Sequence, residues 1–124
     1  MRLALSRSVI LPALAAALLV PASAQAQSAA RYNGSWGVSV LTQQGECDRA
    51  YRYTVAIEDG RVRYAGIVSI NGSVAGNGAV RGSISGGGTT VAINGRLQGD
   101  SGGGTWRATG GRSCSGNWSA ERRG

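Results

Sequence analysis

The sequence predicts an all-β fold: an antiparallel up-and-down meander of about eight strands closed into a small barrel with one disulfide, a β-sandwich being the alternative. Three observations carry this reading. Beyond the first two dozen residues no 3.6-residue apolar periodicity remains, and Gly, Ser, Thr and Val dominate. Turn signals recur about every 8–12 residues. Between them apolar and polar residues alternate, and the alternation keeps one register across successive turns, as a half-buried sheet requires.

The chain opens with an export signal, residues 1–24. Arg2 and Arg7 supply a positive start, Val9 to Val20 an apolar run of 12 residues, and Pro21 a break before small residues. That run is well short of the ~20 residues that cross a bilayer. Ala22-Ser23-Ala24 gives cleavage after 24, and Ala24-Gln25-Ala26 gives the alternative after 26. Residues 25–31 are expected to be a flexible segment and 32–123 the barrel domain, with no transmembrane segment after processing. The expected location is periplasmic or secreted. Processing lowers the net charge from +7 to +5, and all 21 glycines lie in the mature part.

The turns fix the pairing. Asp59-Gly60 as a two-residue hairpin loop sets Ile57 against Val62, Val55 against Tyr64, and Glu58 against Arg61 as a cross-strand ion pair. Gly76-Asn77-Gly78 as a three-residue loop pairs Val74 with Val80 and Ile70 with Ile84. Gly87-Gly88 pairs Ile84 with Val91. A turn within Gly99–Gly104 pairs Leu97 with Trp106, and one around Gly110 pairs Trp106 with Cys114.

One face then carries Trp36, Val38 and Val40, the Tyr51–Ile57 and Val62–Tyr64 alternations, and the apolar positions from Ile70 to Trp118. The other face carries Ser, Thr, Asn and Arg. A single apolar face must be hidden and its edges paired, which closure into a barrel achieves. An outer-membrane barrel would need the reverse, an apolar exterior. Gly72, Gly82, Gly95, Gly104 and Gly116 also fall on the inner face. The expectation is that Tyr and Trp rings fill the room above them, a residual cavity being the alternative.

Cys47 and Cys114 are the only cysteines, so an oxidising compartment offers one intramolecular pairing. No His and no C-x-x-C spacing supports a metal or redox pair instead. Closing so long a loop stabilises by roughly 4 kcal/mol in the chain-entropy model.

Little in the sequence supports catalysis, so no enzyme activity, metal or cofactor is expected. His is absent, and with it the usual general base. Glu46 and Asp48 flank Cys47, but nothing nearby would separate their pKa values, and they read as a solvated loop. Ser85–Thr90 is glycine-rich but lacks the Lys and helix of a phosphate-binding loop. Asn33-Gly34-Ser35, Asn71-Gly72-Ser73 and Asn117-Trp118-Ser119 match a glycosylation pattern that matters only in a eukaryotic secretory route.

Two sets of residues are candidates for binding. Trp36, Tyr51, Tyr53, Tyr64, Trp106 and Trp118 face the barrel interior and would meet a small apolar ligand. Arg52, Arg63, Arg81, Arg96 and Arg107 face outward as a loose basic belt, suited to an anionic glycan or envelope lipid headgroups, or simply to solubility. Nucleic acid is disfavoured, because the rings point away from the arginines.

Gly34-Ser35-Trp36 resembles the G-x-W that opens the barrel in calycins, the lipocalins, avidin-like proteins and bacterial metalloproteinase inhibitors. The resemblance implies a barrel with Trp36 plugging one end. Together with Gly45-Glu46-Cys47, the Tyr51–Tyr64 hairpin and Cys114-Ser115-Gly116-Asn117-Trp118, it is similar to small exported proteobacterial β-barrel proteins of unassigned function, over most of residues 32–123. That likeness implies a periplasmic or secreted barrel. The leading expectation is therefore a non-enzymatic exported binding module. The alternatives are a periplasmic protease inhibitor of calycin type, threading Gln27 to Asn33 into an enzyme cleft, and a structural envelope or matrix protein.

Overall fold

The computed structural model describes residues 29–66 and 68–124. The export signal, both cleavage sites and residues 25–28 lie outside them. Eight strands follow in order: β1 (Gly34–Gln44), β2 (Ala50–Glu58), β3 (Arg61–Arg63), β4 (Ser69–Val74), β5 (Ala79–Gly86), β6 (Thr89–Gln98), β7 (Ser101–Gly110) and β8 (Cys114–Arg122). Each pairs antiparallel with the next, and β8 returns to pair with β1, closing the barrel.

The turns set the registers as their chemistry predicts for the first hairpins. Ile57 pairs with Val62, Val74 with Val80, Ile70 with Ile84, and Ile84 with Val91. Asp59 and Gly60 both take positive φ, 50° and 85°, the pattern of a tight primed turn whose twist suits a hairpin.

Four expected contacts are corrected. Tyr64 lies beyond the end of β3, so it does not pair with Val55. Glu58 sits opposite Arg61, yet its carboxylate takes the diagonal Arg63 at 2.7 Å, within reach of a long side chain. Leu97 pairs with Gly102, and Trp106 with Ile93, because the chain turns at Gly99-Asp100. Glycines 102–104 are strand rather than turn: a Cβ at Gly104 would overlap the Asn94 carbonyl of β6. Cys114 pairs with Ala108 and Trp106 with Gly116, the last loop being longer than expected. Both register errors are even, so every side chain keeps its predicted face.

Cys47 and Cys114 form a disulfide, with Cα atoms 6.0 Å apart across 67 residues. It ties the β1–β2 loop to the start of β8. The loop is ordered locally as well. Thr42 Oγ1 donates to the Asp48 carbonyl, and the Asp48 amide donates to the Tyr51 hydroxyl.

The barrel has one filled end. Trp36 is 1% exposed there, packed with Tyr32, Ile57, Val74, Leu97 and Ala120. Residues 29–31 belong to the stretch expected to be flexible; Ala29 and Ala30 are helical, and Ala29 is buried. Trp36 Nε1 donates to the Tyr32 carbonyl at 2.9 Å. Arg122 lies across this end with its guanidinium carbon 4.8 Å from the Trp36 ring centroid. It also donates to the carbonyls of Arg31, Asn33 and Gly99 and to the Asp100 carboxylate. One side chain thus clasps the N-terminal turn, the β6–β7 turn and the floor tryptophan.

Candidate functional site

Above the floor the barrel encloses a cavity of about 590 Å³. Every strand contributes to its lining, since the inward residue of each alternation faces it. Trp36, Tyr51, Tyr53, Tyr64, Trp106 and Trp118 all border it, together with valines and isoleucines from β1 to β6.

The expectation of a filled interior is therefore corrected, although its mechanism holds at one glycine. The Trp118 ring occupies the space above Gly95, where a Cβ would overlap it. Trp118 Nε1 donates to the Asn94 carbonyl, and Trp106 Nε1 to that of Leu41, each at 3.1 Å, so both indoles are satisfied by the wall. Gly72 and Gly82 pair across β4 and β5 and have no ring over them. Val62, Val80, Ile84 and Val91 around them all border the cavity.

The end opposite the floor is the accessible one. Tyr51, Tyr53, Tyr64, Ile70, Ile84 and Val91, on the β2–β6 side, point inward there yet are only half-buried, whereas the floor residues are buried, as are Ala108 and Cys114 on the β7–β8 side of this end. The rim is built from the 45–49 loop, the Gly87-Gly88 turn and residues 111–113. Thr89 and Arg112 line the cavity at this end, and Arg81 and Ser83 of β5 also border it.

The wall is incomplete on one side. β3 pairs with β2 over three residues and with β4 over two. Among the described residues, Ala50–Val55 and Ser69–Asn71 therefore have no ladder partner on the side facing β3. Tyrosines line this slot. Tyr51 and Tyr53 stack with centroids 6.2 Å apart, and Tyr53 meets Tyr64 edge to face at 5.7 Å. Burial, followed by the neighbouring Tyr51 and Tyr64, pushes the Tyr53 phenol above its ordinary pKa.

The outward arginines are not gathered. Arg52, Arg63, Arg81, Arg96 and Arg107 are all exposed, but none sits directly across a ladder from another. Arg63 is taken by Glu58, and Arg96 donates to the Asn77 carbonyl at 3.0 Å.

Sequence reasoning did not single out Arg112, Arg122, Ala108 or Ala120. Three of these carried a signal. Ala108 follows Trp106 by two, and Ala120 and Arg122 continue the inward row Cys114, Gly116, Trp118. Arg112 lies in a loop, where no period applies.

Among the described residues no group of three or more His, Cys, Asp or Glu could hold a metal ion, and no helix is long and apolar enough to cross a membrane. No family model matches the chain, and no curated protein or solved structure shows significant similarity to it.

Proposed function

We propose that this is a periplasmic or secreted, non-enzymatic binding module that carries a small apolar molecule inside its barrel. The observation that supports this most directly is the cavity: about 590 Å³, lined mainly by Val, Ile, Trp and Tyr. Pockets that enclose small ligands span about 300–1,000 Å³ and are similarly apolar, with few polar groups. Trp36 packs into the floor, where a calycin-like G-x-W would put it. The disulfide accords with an oxidising compartment.

The cavity also favours this reading over its rivals. The arginines offer an anionic surface no concentrated patch. Ala29 and Tyr32 are buried, and the Asn33 side chain accepts from the Asp59 amide at 2.7 Å, so residues 29–33 serve the floor, which does not favour their threading into a protease cleft.

The test is a lipid and metabolite panel read by thermal stabilisation and by tryptophan fluorescence. A ligand in the cavity quenches Trp106 or Trp118 and raises the melting temperature, and Ile84→Trp, which narrows the bore, weakens the stabilisation. A panel that moves neither signal in the wild-type protein refutes the proposal.

A further inference from the structure

We infer that the ligand is a single-chain amphiphile with an anionic head, its tail on the Trp36 floor and its head at Arg112 on the rim; this rests on the cavity reading above. The cavity is graded along its axis. Its floor is Trp36, Ile57, Val74, Leu97 and Ala120, with no charged side chain among them. Along β6 the lining runs from Thr89 at the rim to Leu97 at the floor. Eight residue steps at about 3.3 Å, tilted by roughly 40° as barrel strands are, give a depth of about 20 Å. A bore of that depth, wet at one end and dry at the other, matches an extended chain with one polar end.

The sign of the head follows from Arg112. It is exposed on the 111–113 loop, borders the cavity, and also borders a smaller depression formed with Glu46, Ser113 and Cys114. The other cation bordering the cavity, Arg81, belongs to the outward face of β5. Ion pairs among the described residues are Arg63–Glu58 and Arg122–Asp100, so Arg112 has no carboxylate within pairing distance. The rim also carries Glu46, Asp48 and Arg49 on the facing loop. Neither acid borders the cavity, whereas Arg112 does. An exposed guanidinium with no carboxylate partner among the described residues, beside an apolar bore, selects a carboxylate, sulfate or phosphate head over a neutral or cationic one.

Three probes with the same tail separate the possibilities: dodecanoate, dodecanol and dodecyltrimethylammonium, each below its micelle concentration, titrated into the oxidised protein and read by tryptophan fluorescence. Dodecanoate is expected to bind tightest. Arg112→Gln should weaken it roughly threefold to tenfold, the range for a partly solvated ion pair, and leave dodecanol within about twofold. Glu46→Gln should strengthen dodecanoate modestly, by removing the acidic charge that shares a depression with Arg112. Dodecyl sulfate binding with the same Arg112 dependence would extend the site to anionic heads in general and supports the inference. If dodecanoate and dodecanol bind alike and Arg112→Gln changes neither, or if the ammonium binds best, the inference is overturned while the cavity reading stands. If none of the probes binds, and the broader panel also fails, both fall together.

Discussion

Replacing Arg122 by Met removes the clasp under the barrel while keeping most of its aliphatic stem. The guanidinium sits 4.8 Å from the centroid of Trp36 and donates to the Arg31, Asn33 and Gly99 carbonyls, and its side chain is 21% exposed. The lost cation–π contact is worth ~0.5–2 kcal/mol, and the lost charged hydrogen bonds ~1.5–3 kcal/mol. The Asp100 pair adds little, ~0–1 kcal/mol, because that carboxylate is 82% exposed. A net cost of about 2–4 kcal/mol is expected after overlap between these contributions. For a domain this small that lowers the melting temperature by about 10–25 °C. Urea and thermal unfolding with the disulfide intact measure it, with Asp100→Asn as the control expected to cost under ~1 kcal/mol. A loss below about 0.5 kcal/mol for Arg122→Met, or an equal loss for Asp100→Asn, would refute the view that this one side chain holds the floor.

Other perturbations probe other parts. The paired change Cys47→Ser and Cys114→Ser should cost about 2–4 kcal/mol in urea unfolding; no loss would mean the rim loop is held by its hydrogen bonds alone. Gly95→Ala and Gly88→Ala separate two uses of glycine. At Gly95 the added Cβ overlaps Trp118 and the Gly103 carbonyl, with an expected cost of about 1–3 kcal/mol. At Gly88 the space is open but φ is 82°, and about 1–2 kcal/mol of backbone strain is expected. The Tyr53 phenol should ionise above the ordinary 10.0 in a 295 nm titration. Its folded pKa is the raised one, so its contribution is intact below pH 10 and is lost as pH climbs through the folded value. In Tyr53→Phe that alkaline loss of stability should shrink, and an unchanged profile would assign it to another group.

The wall of the barrel was legible in the sequence because parity is robust. A four-residue error at the Gly99-Asp100 turn and a two-residue error at the last loop left Leu97, Trp106 and Cys114 all facing inward. Glycine was the ambiguous letter. At Gly87-Gly88 it marks a turn, whereas at 102–104 it marks strands pressed close together, and composition is the same in both cases. The brevity of β3 was hidden because Tyr64 continues the apolar alternation although the ladder has already ended. The choice between a filled interior and a cavity was beyond reach for a different reason. Its volume depends on how far apart eight closed strands hold their inner faces, and on which residues lie opposite Gly72 and Gly82, neither of which a single strand records. Arg122 could have been found by extending the inward row two residues past Ala120; a charge there reads at first as solvent-facing.

The β1–β8 ladder has a consequence for how the barrel is reached from the unfolded chain. The other seven ladders join neighbours in sequence and close short loops, while this one brings Trp36 to Arg122. Its closure entropy must be met before any of its hydrogen bonds form. Hairpins of the meander are therefore expected to assemble early and the seam to zip last, with the aromatic interior open to water until it does. Mutations along β1 and β8 should then accelerate unfolding and leave the folding rate nearly untouched, while those at the central hairpins should slow folding.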